Sequence, residues 1–235
     1  MKISILSPAY QNEANIQELV ESLYENVVVP LKKEGIQTEV ILAEDGSTDR
    51  TRSILQKLKK KYNFRLLLGK TRLGCIKAVK NLYLQARGDL IFFLDSDGEI
   101  KPQSFWELFK VFKKGNLDIV VAYKLNRKPR FRYIISRINN LFLRLLFSVK
   151  IRDANAGFRL YQGSVGRQLV RESIFLKYNF NSEQIIRATG YGYQMADVEV
   201  PHFARESMMF KPDKMAQTVL LAFWELVRFK IKVRF

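Results

Sequence analysis

Residues 90–97 have the sequence LIFFLDSD, and this stretch decides the fold. The five apolar residues at 90–94, bounded by turn-forming residues, predict a buried strand. Asp95 and Asp97 follow at the carboxyl end of that strand, where open α/β sheets place their ligands. Such carboxylates hold Mg²⁺ or Mn²⁺, which usually bridge the phosphates of a substrate. The alternative is a strand-to-helix turn capped by Asp or Ser before the helix that follows Pro102, and the motif alone leaves both open.

The composition predicts one globular domain, or one domain with an appendage. The chain has 235 residues, 47% apolar and 27% charged, which is enough to bury a full core. A single cysteine and a single histidine exclude an internal disulfide framework, a Cys/His zinc site and chemistry that needs two histidines. The net charge of +17 indicates an anionic partner, which could be nucleic acid, lipid headgroups or a phosphorylated substrate.

The sequence also bears on location. The first apolar stretch stops at Pro8 and is too short for the apolar region of a signal peptide. No run of about 18 uncharged apolar residues predicts a transmembrane helix. We therefore expect a cytoplasmic protein that binds peripherally at the inner face of a membrane.

The first 125 residues alternate between strand and helix patterns, which indicates βαβ units and an α/β fold with a mostly parallel sheet. Strands are predicted at 3–6, 40–43, 64–68, 90–94 and 118–122, and helices at 12–29, 49–62, 73–86 and 103–113. Four polar segments follow the first four strands, at 8–13, 44–49, 72–74 and 95–97. Because parallel strands end at the same edge of a sheet, these segments are expected to form one cleft. Helix capping explains Asp49, but the paired acids Glu44 and Asp45 indicate hydrogen bonding to a nucleobase or ribose.

The pattern changes after residue 123. Residues 124–150 contain eight basic residues and no acidic one, and their apolar residues at 134–149 recur at helical spacing. A loop or strand is predicted at 153–161, a helix at 182–189, a strand at 196–203 and a second amphipathic element at 213–235. Both amphipathic elements suit either a membrane interface or packing within the protein, and the second also suits a dimer contact.

The first-half segments resemble family 2 glycosyltransferases of the GT-A fold. The resemblance rests on SPAYQNE at 7–13, EDGSTD at 44–49 and DSD at 95–97. It implies a Rossmann-like, mostly parallel sheet flanked by helices, and a nucleotide-sugar donor. Glu44 stands where the family usually has Asp, which favours Asp45 as the acid that contacts the base. The resemblance places the donor at Pro8, Tyr10, Glu13, Asp45, Asp95 and Ser96.

The second half is similar to dolichyl-phosphate mannose synthases and related polyprenyl-phosphate glycosyltransferases. The similarity rests on RYIISR at 132–137, DANAGFRLY at 153–161, Glu183, EVP at 199–201 and Arg205. It implies a glycosyltransferase domain at 1–205, with a nucleotide-sugar half at 1–123 and an acceptor half at 124–205, followed by an amphipathic tail at 206–235. Residues 206–211 depart from the family pattern, which leaves the choice of donor open.

The resemblance also implies roles for individual residues. Asp95, Asp97 and Glu99 would hold Mg²⁺ or Mn²⁺. The acceptor phosphate would bind Arg130, Arg132 and Ser136. The catalytic residues would be Asp97, Asp153 and Arg205.

The expected reaction is inverting transfer of a sugar from a GDP- or UDP-sugar to a polyprenyl phosphate at the cytosolic face of a membrane. A phosphomonoester acceptor is already largely anionic at neutral pH and needs no general base. The alternative is a hydroxyl acceptor, for which Asp153 or Glu183 would serve as base. A nucleic-acid partner is not expected, because the usual motifs are missing. A non-catalytic relative, a homodimer and a membrane-protein partner remain open.

Overall fold

The computed structural model describes residues 1–125, 130–203 and 212–233. The strands of this described part form one seven-stranded sheet in the order β3-β2-β1-β4-β6-β5-β7. The strands are β1 (Lys2–Ala9), β2 (Gln37–Glu44), β3 (Arg65–Leu68), β4 (Leu90–Leu94), β5 (Ile119–Leu125), β6 (Phe158–Gln162) and β7 (Met195–Pro201). Every pairing is parallel except the two made by β6. The predicted α/β fold with a mostly parallel sheet is confirmed.

Helices flank the sheet and connect its strands. They are α1 (Ile16–Leu23), α2 (Val29–Lys33), α3 (Thr51–Lys61), α4 (Cys75–Gln85), α5 (Phe105–Lys114), α6 (Arg130–Phe147), α7 (Gly163–Glu172), α8 (Phe180–Gly190) and α9 (Pro212–Lys232). The helix α7 was not predicted from the sequence.

The first helical region continues past the predicted end at residue 29. A π-helical turn at Tyr24–Val28 joins α1 to α2, which contains Pro30. Proline lacks the N–H that would bond to the carbonyl four residues earlier. That carbonyl, on Asn26, instead accepts a hydrogen bond from Trp106 Nε1 at 2.8 Å. The wider turn and the tryptophan together allow the helix to pass through a proline.

The core has two layers, one on each face of the sheet. Along β4, Ile91 and Phe93 belong to one buried cluster, while Leu90, Phe92 and Leu94 belong to the other. Side chains alternate between faces along a strand, so a fully apolar strand contributes to both layers. This explains the uninterrupted apolar run at 90–94.

The reversed strand β6 lies between β4 and β5. Its first residue, Phe158, pairs with Leu94 at the end of β4. Because β6 runs opposite to β4, the segment that precedes β6 lies at the edge where β4 ends. Residues 153–157 therefore join the loops that follow β1, β2 and β4.

The helices α6 and α9 contact each other, with the rings of Phe142 and Phe223 4.6 Å apart. Leu226 and Phe229 of α9 are buried in the core. Within the described residues, no helix combines the length and apolar character needed to cross a membrane. The predicted boundary at 205 lies outside the described residues, so the division into a domain and a tail stays a prediction.

Candidate active site

Loops from four strands enclose a cleft of about 250 Å³ at the carboxyl edge of the sheet. The cleft is lined by Pro8, Ala9, Tyr10, Asp45, Arg72, Cys75, Ala78, Asp95, Ser96 and Asp97. Open α/β sheets bind their ligands at this edge. Of the residues predicted to bind the donor, all except Glu13 lie around this one cleft.

The adjacent acids Glu44 and Asp45 have different surroundings. Asp45 faces the cleft, and its carboxylate accepts hydrogen bonds from the backbone N–H groups of Leu73 (2.8 Å) and Gly74 (2.9 Å). Glu44 is buried and forms an ion pair with Arg52 at 2.6 Å. Asp45 therefore forms part of the wall of the cleft, whereas Glu44 fixes the 44–49 loop to α3 through Arg52.

Glu13 does not line the cleft. Its carboxylate accepts hydrogen bonds from the backbone N–H of Arg50 (2.9 Å) and from Arg50 Nε (3.2 Å). These bonds lower the pKa of Glu13. The Glu13 backbone N–H donates to Asp49 at 3.1 Å. The geometry therefore makes Glu13 a link between the first two loops, not a donor contact.

Four residues that line the cleft were not among the predicted site residues: Ala9, Arg72, Cys75 and Ala78. The guanidinium of Arg72 lies over the ring of Tyr10, 4.2 Å from its centroid. Cys75, at the start of α4, contributes an exposed surface to the wall. The sequence placed the segment at 72–74 in the cleft, and a basic residue in a cleft expected to bind a nucleotide sugar was the signal for Arg72.

The two aspartates differ in environment. Asp97 is exposed, and its Oδ1 accepts a hydrogen bond from the backbone N–H of Glu99 at 2.9 Å. Asp95 is partly buried, and desolvation together with the charge of Asp97 raises its pKa to about 7. The positive charges of Lys124 and Arg159 oppose this rise. Two carboxylates held this close in a partly desolvated site favour a bound cation.

Gly157 packs directly against Asp95. The backbone N–H of Asp95 donates to the Gly157 carbonyl at 2.8 Å. A Cβ atom on residue 157 would lie 1.7 Å from Asp95 Oδ2, which is far inside contact distance. Only glycine leaves room for the observed position of this carboxylate.

Glu99, which was predicted as a metal ligand, is instead held by Lys124 and His202. Its buried carboxylate accepts a hydrogen bond from Lys124 Nζ at 2.6 Å and lies 3.3 Å from His202 Nε2. Gly98, with a φ of +71°, turns the loop so that Glu99 faces β5 and β7. The described residues contain no cluster of three or more Asp, Glu, His or Cys suited to a metal. Asp95 and Asp97 fit a divalent ion whose other ligands are phosphate oxygens and water, as Mg²⁺ sites often are.

The segment at 153–157 is fixed by Arg159, a buried arginine that the sequence did not single out. Its guanidinium donates to the carbonyl oxygens of Ala154 (2.7 Å) and Ala156 (2.5 Å). It also donates to the Asn181 carbonyl and the Tyr161 hydroxyl, both at 3.0 Å. Arg159 thereby holds the backbone that carries Gly157 against Asp95.

Asn140 links this segment to α6. Its side-chain oxygen accepts from the Ala154 backbone N–H at 3.0 Å, and its amide donates to the Ser136 carbonyl at 2.8 Å. Asp153 is buried at the start of the same segment. Asn140 thus links the helix that carries Ser136 to the segment that begins with Asp153.

Glu183 does not fit the role of a general base. Its carboxylate is fully buried and accepts backbone hydrogen bonds from Ile174 (3.1 Å), Phe175 (2.9 Å) and Leu176 (2.7 Å). It also forms an ion pair with Arg187 at 2.8 Å. With its oxygens occupied in this way, Glu183 organises a loop, and Asp153 is left as the candidate base.

Three predicted residues cannot be placed. Arg130 and Arg132 lie in the first turn of α6, but their side chains are outside the described part of the structure. Arg205 lies outside the described residues altogether. Their predicted roles with the acceptor phosphate and at the transfer site stay predictions.

Comparison with known families identifies the chain. The family described as Glycosyl transferase family 2 matches residues 4–175, which span the sheet from β1 to β6. The chain is a member of glycosyl transferase family 2.

Among curated relatives, this family 2 member is 26% identical over 206 residues to glycosyltransferase AglD of Haloferax volcanii. That alignment covers 85% of this chain and 33% of the relative. It is 25% identical over 211 residues to dolichyl-phosphate beta-glucosyltransferase ALG5D of Trichomonas vaginalis, covering 84% of this chain and 64% of the relative. The chain thus spans between a third and two thirds of the length of these relatives.

A solved structure with the same fold is glucosyl-3-phosphoglycerate synthase from Mycobacterium tuberculosis. Its complex with Mn²⁺, UDP and glucosyl-3-phosphoglycerate superposes with a TM-score of 0.72 at 18% identity. The match covers all of this chain and 81% of the other. At this identity the likeness shows the fold of the family 2 member, including the GT-A arrangement expected from the sequence.

Proposed function

We propose that this family 2 glycosyltransferase moves a sugar, with inversion, from a GDP- or UDP-sugar to a polyprenyl phosphate. The observation that carries the proposal is the single cleft that gathers Tyr10, Asp45, Asp95 and Asp97 beside the 153–157 segment. The name of the relative from Trichomonas vaginalis, a dolichyl-phosphate glucosyltransferase, supports the acceptor class.

The donor would lie along the cleft. Tyr10 and the Arg72 guanidinium would face the nucleotide, and Asp45 would hold the wall through Leu73 and Gly74. Asp95 and Asp97 would hold Mg²⁺ or Mn²⁺, which would neutralise the diphosphate as it leaves. Lys124 lies in a small cavity with both aspartates, and its charge is shared with the Glu99 carboxylate 2.6 Å away.

The acceptor would approach from the side of α6. A phosphate monoester has a second pKa of about 6 and is already nucleophilic at neutral pH, so Asp153 need not remove a proton. Ser136 lies one turn before Asn140 on α6, and Asn140 joins that helix to the 153–157 segment. Direct attack by this phosphate on the sugar is a single displacement, which is the basis for the proposed inversion.

Transfer of a labelled sugar tests the proposal. Purified protein is incubated with Mn²⁺, GDP- or UDP-hexoses and a short-chain polyprenyl phosphate, and the product is identified by mass. A polyprenyl-phospho-sugar is the expected product. Transfer to a glycan or glycolipid hydroxyl, with no product on any polyprenyl phosphate, would establish the alternative acceptor class.

We also propose that the protein works at the cytosolic surface of a membrane. The outer face of α6 exposes apolar side chains three or four residues apart, and α9 does the same. The exposed residues are Phe131, Ile134, Ile138, Leu141 and Leu145 on α6, and Leu220, Trp224, Val227 and Ile231 on α9. The net charge of +17 suits anionic headgroups. Binding to vesicles that contain phosphatidylglycerol, but not to duplex DNA at the same salt, is the expected result.

A further inference from the structure

The loop between α7 and α8, residues 173–179, displays apolar side chains on a rigid frame. Ile174 is 69% exposed, and Phe175 and Tyr178 are also exposed. Leu176, between them, is buried in the core and anchors the loop.

Six successive backbone N–H groups of this loop donate within the protein. Ser173 bonds to the Leu169 carbonyl at 3.0 Å. The N–H groups at 174, 175 and 176 donate to the buried Glu183 carboxylate. Those of Lys177 (3.2 Å) and Tyr178 (3.0 Å) donate to Glu225 on α9.

This pattern differs from that of an ordinary surface loop. Exposed loops can leave backbone donors to water, whereas a donor transferred into lipid without a partner costs several kcal/mol. Because the donors from 173 to 178 already have protein acceptors, this loop can enter an apolar phase without leaving an N–H unpaired. The loop is also already ordered, which lowers the entropic cost of binding.

The loop is continuous with α9. Glu225 joins it to that helix, and the Phe175 and Phe229 rings are 5.6 Å apart. Exposed cations flank the apolar side chains, with Lys177 on the loop and Arg228 and Lys230 on α9. Apolar side chains bordered by Lys and Arg suit the headgroup region of an anionic bilayer.

We propose that residues 174–178 form a wedge that inserts into the surface of an anionic lipid bilayer beside α9. This inference rests on the membrane association proposed above. It adds this loop to the two contacts proposed there, the outer faces of α6 and α9.

The test compares two substitutions of equally exposed residues. Ile174→Asp alters the wedge, and Leu84→Asp alters a leucine of α4 that is 68% exposed. Co-sedimentation is measured with vesicles of phosphatidylcholine, with and without phosphatidylglycerol. Ile174→Asp is expected to lower the partition coefficient on the anionic vesicles about tenfold, and Leu84→Asp less than twofold.

Three results would overturn the wedge. Equal binding of Ile174→Asp and wild type would show that the loop stays in water. Light scattering that shows a wild-type dimer and an Ile174→Asp monomer would assign the loop to a second copy of the chain. Wild type that binds neither vesicle would remove membrane association as well. Transfer to a short-chain polyprenyl phosphate in solution tests the proposed reaction separately, and Ile174→Asp is expected to retain it.

Discussion

Asp95 and Glu183 are both carboxylates at sites of low exposure, yet the two regions use them in opposite ways. Glu183 accepts three backbone hydrogen bonds and pairs with Arg187, so its negative charge is balanced by protein groups. Among the described residues, no donor bonds the Asp95 carboxylate, and desolvation and Asp97 raise its pKa to about 7. A carboxylate supplied with donors organises the fold, whereas one without them favours a ligand cation.

The first prediction concerns the pair Asp95 and Asp97, which is expected to hold the cation. Asp97→Asn is expected to lower kcat/KM for transfer by about a thousandfold or more, because one carboxylate can no longer hold the metal. Since Asp97 is exposed, the free energy of unfolding is expected to change by less than about 0.5 kcal/mol. The measurements are labelled-sugar transfer and urea unfolding. Glu107→Gln, an exposed acid on α5, is the control, and an equal loss in both variants would contradict the assignment.

The second prediction concerns Glu183, the carboxylate whose charge is balanced by protein groups. Glu183→Gln is expected to destabilise the fold by about 3–5 kcal/mol, because Arg187 loses its buried counter-charge and three N–H groups lose a charged acceptor. Urea unfolding measures the loss. Glu225→Gln, which affects two N–H groups of the same loop, is expected to cost less. Normal stability of Glu183→Gln with lost transfer to a hydroxyl acceptor would restore the role of general base.

The third prediction tests whether the position of Asp95 matters as much as its charge. In Gly157→Ala the new Cβ would lie 1.7 Å from Asp95 Oδ2, so the carboxylate must move. Displacement by about 1 Å is expected to lower transfer about a hundredfold. Mn²⁺ affinity, measured by calorimetry, is expected to weaken in parallel. The control is Gly115→Ala. The nearest atoms to its new Cβ would belong to the flexible side chain of Leu117, which can move aside.

The smallest predicted effect comes from Glu39, another carboxylate supplied with donors. It accepts from the Ser4 hydroxyl, the Arg87 N–H and Lys2 Nζ, and although desolvation opposes them these bonds lower its pKa. A lowered pKa in the folded state stabilises the protein above the unfolded pKa, and this stability is lost as the pH falls through the folded pKa. Glu39→Gln is expected to cost about 1 kcal/mol or less at pH 7. In urea unfolding from pH 7 to pH 3, the variant and wild type should converge at the acid end.

The cleft at the carboxyl edge of the sheet was largely predictable from the sequence. Strand ends in a parallel sheet converge, so polar segments at 8–13, 44–49, 72–74 and 95–97 could be placed in one cleft without coordinates. What failed there was the direction of individual side chains. Glu13 and Glu99 turn to Arg50 and Lys124, and neither partner is adjacent in sequence.

The position of the 153–157 segment depends on long-range contacts that no local sequence pattern reports. Because β6 is antiparallel, the segment that precedes it, and not one that follows a strand, reaches the cleft. The side chains of Arg159 and Asn140 hold that segment by bonding to its backbone atoms. Since every residue has these backbone atoms, the residue types of the segment do not reveal the contacts. The two acids that accept hydrogen bonds from residues 174–178 are Glu183 on α8 and Glu225 on α9. Because they lie on different helices, their joint effect on the loop is visible only in the three-dimensional structure.

The two tryptophans differ in exposure, so their intrinsic fluorescence can report on two regions of the protein separately. Trp106 is partly buried and bonded to the helix interrupted by Pro30, whereas Trp224 is 56% exposed on the outer face of α9. Quenching by brominated lipid should therefore reach Trp224 and spare Trp106. Emission from Trp106 would report unfolding of the sheet, and emission from Trp224 would report the depth of contact with a bilayer, in one unlabelled sample.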